Sequence, residues 1–162
     1  MADGVSFEVK VTGLEGVITR FNALGALDKH ELMEGLGRLG QMQTPRRLEV
    51  EKTTPGGAAW KPTRDGRGAL FVTGTHLARS IDYQASETEA RWGTGWIGAR
   101  VHQYGATITP KNAKALCFMA GGKKVFSKRV TIPAREYVGL SEANKAEMIR
   151  VAERFIGEVA GQ

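Results

Sequence analysis

Near its start the chain alternates: Val5, Phe7, Val9 and Val11 are interleaved with Ser6, Glu8, Lys10 and Thr12, the period of two that predicts a strand with one buried face. Gly13 ends it, and the period lengthens. Leu14, Val17, Ile18, Phe21, Leu24 and Leu27 recur at steps of three and four, which predicts a helix with one apolar stripe despite Gly16 and Gly25. Asp28 is placed to cap a second helix, with Glu31 in its first turn and Leu32, Leu36, Leu39 and Met42 on one face. Thr44-Pro45 is expected to kink or break that helix, because proline lacks a backbone donor and disfavours helical geometry in the residue before it. Beyond it, Arg46 to Lys52 can resume as a charged helix.

Thr53-Thr54-Pro55-Gly56-Gly57 is turn chemistry, and the polar stretch that follows to Gly68 holds one large apolar residue, Trp60, so it reads as a loop anchored by a tryptophan. After the short apolar run Leu70-Phe71-Val72, Thr73 or Thr75 can cap a short helix whose Leu77 and Ile81 share a face. Strands are predicted over Asp82 to Glu87 and Ala90 to Ile97, joined at Thr88-Glu89. Ala99 to Tyr104 reads as a short helix closed by Gly105, at the position where a left-handed residue ends helices. Ala115 to Val130 reads as a β-hairpin, with Leu116, Phe118 and Val125 as strand formers around a Gly121-Gly122 turn. Ser141 caps the last helix, with Leu140 before it, Glu142 in its first turn, and Ile149, Ala152, Phe155, Ile156 and Val159 on its buried face. The pattern is an α+β domain spanning residues 1–162: a small, mainly antiparallel sheet packed by N- and C-terminal helices, with a projecting basic hairpin at about 111–131.

Composition narrows the function. At 162 residues, with 41% apolar and 25% charged positions, the chain can bury a core and is not a disordered one. The single Cys117 has no partner for an internal disulfide, and with only His30, His76 and His102 a Cys/His zinc cluster cannot be assembled. Neither a leader nor an 18-residue apolar run is present, so the expectation is a protein kept in the cytoplasm or in a particle assembled there, with no membrane partner.

The net charge of +6 is unevenly placed. Between Ala90 and Arg135 there is no Asp or Glu, while Arg91, Arg100, Lys111, Lys114, Lys123, Lys124, Lys128, Arg129 and Arg135 supply nine cations; the rest of the chain is left with 14 basic residues against 17 acidic ones. A mildly acidic body with one basic segment points to an anionic partner for that segment.

Candidate chemistry is sparse. A nucleophile with a base would have to be Cys117 with His102 or His76. Cys117, between Leu116 and Phe118 in a predicted strand, reads as a buried, inert core thiol, and His102 as a packing or capping residue near a helix end. Gly93-Thr94-Gly95 lacks the lysine and Ser/Thr of a phosphate loop and reads as a bend. No carboxylate pair and no magnesium site can be built in the central 46 residues. The reading is a protein without an enzymatic reaction and without a cofactor. Lys123, Lys124, Lys128 and Arg129 could meet nucleic-acid phosphates, but with only Phe118 and Phe126 nearby and no reading helix they support non-specific contact at most. A hairpin docked on an acidic neighbouring subunit, or simply solvated, accounts for them equally well.

Three stretches carry a resemblance. Thr73-Gly74-Thr75-His76-Leu77-Ala78-Arg79-Ser80-Ile81, Ala99-Arg100-Val101-His102-Gln103-Tyr104-Gly105 and Ile132-Pro133-Ala134-Arg135-Glu136-Tyr137-Val138-Gly139-Leu140-Ser141, with Trp60-Lys61-Pro62 before them, resemble in order and spacing the tailed-phage virion morphogenesis (tail completion) family, over roughly Leu32 to Ile156. The chain departs from the usual pattern at Glu136-Tyr137, where that family more often has Pro-Phe.

The resemblance implies a structural protein of the phage neck or tail top, in a virion assembled in the host bacterial cytoplasm. Its expected partners are further copies of itself in a ring, most often sixfold, the tail tube or tail terminator protein, the head-side connector, and DNA in the lumen. The residues expected to contact a subunit or DNA are Lys123, Lys124, Lys128, Arg129 and Arg135; the guanidinium of Arg135 could also hold a carboxylate or backbone carbonyls bidentately. The alternative reading is a non-specific nucleic-acid-binding protein acting through the basic hairpin.

Overall fold

The computed structural model describes residues 5–9, 28–63, 69–70, 76–120 and 122–160. The helix expected over Leu14 to Leu27, the caps at Thr73 and Thr75, Phe71-Val72 and Gly121 lie outside them.

Three antiparallel strands form the main sheet: β1 (Val5–Val9), β2 (Ile81–Ala85) and β3 (Ala90–Thr94), in the order β1-β3-β2. The central β3 sets Thr94 opposite both Val5 and Ile81, and Ala90 opposite both Val9 and Ala85. The turn between β2 and β3 is closed by Ser86 N–H donating to Glu89 O at 2.8 Å. Ala90, Trp92 and Thr94 alternate inward with exposed Arg91 between them, the signature of a sheet with one covered face.

Helix α1 (Lys29–Arg46) packs on that face. Asp28 caps it, its carboxylate accepting from Glu31 N–H at 3.0 Å. Leu32, Met33, Leu36, Gly37, Gly40, Gln43 and Thr44 form the buried side. Met42, expected there, is exposed: the stripe follows the steps from 36 to 40 and 43, which turns position 42 outward. Pro45 does not break the helix. The chain runs through it to Arg46 and relaxes into a π turn, Arg47–Glu51, in which Lys52 N–H reaches Arg47 O at 3.0 Å. Thr44 Oγ1 donates to Gly40 O at 3.1 Å beside the proline.

Leu77 precedes a single 3₁₀ turn (Ala78–Ser80), and Ile81 begins β2 rather than continuing a helix; both are buried in one cluster. Helix α2 (Ala99–Tyr104) ends at Gly105 as expected, with φ of +73°. A Cβ on Gly105 would lie 2.7 Å from Ala134 N and 2.9 Å from Ile132 O, so the position demands glycine for both conformation and space.

Helix α3 (Glu142–Ala160) starts at Ser141, whose Oγ accepts from Asn144 N–H at 3.1 Å. Met148, Ala152 and Ile156 are its buried line and Phe155 and Val159 flank it, but Ile149 is 55% exposed. At 100° per residue, the line through 148, 152 and 156 leaves 149 on the far shoulder. α1 and α3 pack together over Trp92 and Ala90 as one apolar cluster; a second gathers Leu48, Trp60, Leu77, Ile81, Ala99, Tyr137 and Val138.

The remaining strands are nested. β4 (Ala106–Ile108) pairs with β7 (Val130–Ile132), and between them in sequence β5 (Leu116–Ala120) pairs with β6 (Lys123–Ser127), with Gly122 at φ of +75° in the turn. No residue of β5 or β6 is buried. Cys117, expected in the core, is exposed: its strand pairs with β6 alone, and no helix packs over it among the described residues. Helices with small antiparallel sheets make this an α+β fold.

Candidate functional site

The stretches that carry the family resemblance converge. From α2, the Gln103 side chain lies parallel to the segment before α3 and pairs with its backbone as a strand would: Oε1 accepts from Tyr137 N–H at 3.0 Å and Val138 N–H at 3.1 Å, and Nε2 donates to Val138 O at 3.0 Å. His102 O accepts from Arg135 N–H at 2.8 Å. From the loop, Trp60 Nε1 donates to Glu136 O at 2.9 Å. Arg135 returns the contact, its Nε and Nη2 donating to Lys61 O at 2.9 Å and Pro62 O at 3.2 Å. Trp60, Gln103, Arg135, Tyr137 and Val138 are all buried. Every one of these bonds has a backbone group on one side, so together they shape two loops.

Arg47 reinforces the same segment from the other flank. Wholly buried, it donates to Tyr137 O at 3.1 Å, Gly139 O at 2.7 Å and Asn144 Oδ1, with Glu51 at 3.5 Å as its counter-charge. Burial pushes its pKa below the ordinary arginine value, and Glu51 opposes the shift. Sequence reasoning missed this residue: it assigned Arg46 to Lys52 to a charged helix, with nothing to mark which arginine turns inward.

Beside Gln103, three rings stack. Trp96 lies between His76 and His102, with centroids 5.6 and 5.7 Å away and planes within 11° and 9°. Burial, and then the nearby Arg135 charge, lower the His102 pKa, and its Nδ1 is enclosed without a partner. Burial and stacking on Trp96 give His102 the packing position expected of it. Cys117 lies exposed on β5 with Phe126 opposite it.

Of the five residues expected to meet a subunit or DNA, the structure places four together and one apart. Lys123 and Lys124 are exposed on β6, with exposed Lys128 and Arg129 just beyond it, and none of the four is in an ion pair among the described residues. Arg135 instead takes the second role its guanidinium allowed, holding backbone carbonyls. Among the described residues no group of His, Cys, Asp and Glu could hold a metal, and no helix is long and apolar enough to cross a membrane.

The chain is thus an α+β fold whose distinctive residues clamp backbone, with four cations in no ion pair among the described residues on and just beyond a separate hairpin. The model of the phage virion morphogenesis family matches residues 9–156, and the chain belongs to that family. No curated protein and no solved structure matches it. Membership gives it a structural or assembly role in a phage virion.

Proposed function

We infer that the protein is a subunit of the phage head–tail joining region, forming a homo-oligomeric ring, taken as a hexamer, between the tail tube and the head-side connector, and that it catalyses no reaction. The observation that carries this reading is the use of the family motifs: Gln103, Trp60, Arg135 and Gly105 are all committed to the geometry of the loops around Tyr137, as an interface-forming scaffold needs. In a ring each subunit presents one surface to the neighbour on one side and a different surface to the other, so a chain with a basic segment and an acidic remainder is suited to head-to-tail contact.

Light scattering on the purified chain at low and moderate salt tests it. A discrete hexamer-sized species is expected, either alone or on addition of tail tubes; a chain that stays monomeric with tail tubes present sinks the reading. The alternative, a non-specific nucleic-acid-binding protein, has the unpaired Lys123, Lys124, Lys128 and Arg129 in its favour. Reversing all four charges separates the two: ring formation or tail joining is lost under the first, whereas under the second only salt-sensitive DNA binding falls.

A further inference from the structure

The β5–β6 hairpin is an unstable object by itself. Two five-residue strands with open edges are marginal in water, and both faces of this pair carry apolar side chains. The register settles which residues share a face. Cys117 stands opposite Phe126 and Met119 opposite Lys124, so these four project together, away from the face of Leu116, Phe118 and Val125. Phe126 is 67% exposed and Met119 65%, an aromatic and a thioether held in water beside a lysine ammonium.

Elsewhere on the same chain is a surface of the opposite character. α1 and α3 leave between them a groove of about 310 Å³ with Leu32, Val151 and Phe155 as apolar walls and Glu31, Glu34 and Arg38 at its rim. Arg38 is already neutralised by Glu34 at 2.5 Å, while the Glu31 carboxylate has no partner among the described residues. The groove therefore offers an apolar bed beside an exposed negative charge, and the hairpin face offers two apolar side chains beside an exposed positive one.

We propose that the Met119, Phe126 and Lys124 face of the hairpin docks in the α1–α3 groove of a second copy of this chain, with Phe126 in the apolar bed and Lys124 at Glu31. The proposal rests on the ring reading and supplies its contact. A phosphate backbone would pair with Lys124 but would leave Met119 and Phe126 in water; the groove can cover both and pair Lys124 with Glu31. Hairpin and groove are different surfaces, so the contact can run head to tail, as a ring needs.

The experiment mixes two forms of the full chain. One carries Cys117→Ser and Gly35→Cys; the other keeps Cys117 as its only cysteine. Gly35 lines the groove, and a Cβ there meets nothing within 4 Å. A short bismaleimide is expected to give a cross-link between positions 35 and 117 in the mixture and in neither form alone. Lys124→Glu or Phe126→Ser in the second form, both at exposed positions, should cut its yield about tenfold. Glu31→Lys in the first form should restore the yield against Lys124→Glu.

A mixture that light scattering shows to be oligomeric yet that gives no such cross-link overturns the docking and leaves the ring standing. One that stays monomeric with and without tail tubes overturns both. A cross-link indifferent to Lys124→Glu and Phe126→Ser also overturns the docking, and if those changes weaken binding to duplex DNA instead, the face belongs to nucleic acid.

Discussion

Gln103 shows how one side chain can stand in for a strand. Replacing it with leucine keeps the volume and leaves two buried N–H groups and one carbonyl, of Tyr137 and Val138, without partners. Gln103→Leu is expected to lower the unfolding free energy in urea by about 3 kcal/mol, the cost of stranding such groups. Tyr137 should behave oppositely: its hydroxyl is buried with no partner, so Tyr137→Phe should leave the thermal midpoint unchanged or raise it, by up to about 1 kcal/mol of stability.

His102 makes stability depend on pH. Its folded pKa lies below the unfolded value near 6.5, so the unfolded chain binds the proton more readily; its contribution is present above about pH 6.5 and is lost as pH falls toward the lowered value. His102→Phe should keep the stack on Trp96 and flatten that part of the urea-midpoint profile against pH. At this scale, capping and turn chemistry were legible: Asp28, Ser141 and Gly105 act through neighbours within a few residues or through their own φ. Arg47 and Asn144 were not, because their roles depend on meeting each other across 97 positions of sequence.

Among the elements, α1 carries the sharpest test of packing against propensity. A Cβ on Gly40 would overlap the Trp92 ring, while one on Gly35 meets nothing. Alanine favours a helix interior over glycine by about 1 kcal/mol at either site. Gly35→Ala is therefore expected to raise the urea midpoint, and Gly40→Ala to lower it by a net 1–2 kcal/mol or so, as Trp92 is forced off its seat. The apolar periodicity located β1, α1 and α3, since burial on one face writes itself into spacing. It misplaced Met42 and Ile149, each at the shoulder of a stripe, where the position of the neighbouring element decides the side. Pro45 was misread for a related reason: its local penalty is real, but the buried residues on both flanks, Gln43, Thr44, Arg47 and Leu48, hold the helix through it.

For the whole molecule, the charge split was legible in the sequence, and so was the β5–β6 pairing; the place of Cys117 was not, because a thiol between Leu116 and Phe118 reads like a core residue when no neighbour is known. Replacing residues 109–129 with Asn-Gly would close β4 onto β7 at the Ile108–Val130 pair, with the turn that two-residue hairpins favour. The shortened chain is expected to unfold at nearly the same temperature as the full one and to have lost self-association in light scattering. A large fall in the thermal midpoint would mean that the hairpin supports the body. The nesting of the four strands has a consequence beyond stability. Both ends of the excursion are already tied together by β4 and β7, so its tip can lengthen, shorten or exchange its chemistry without passing any strain to the rest of the chain. A lineage whose neighbouring proteins changed could keep the scaffold and rewrite about twenty residues, as a tool keeps its handle and takes a new bit.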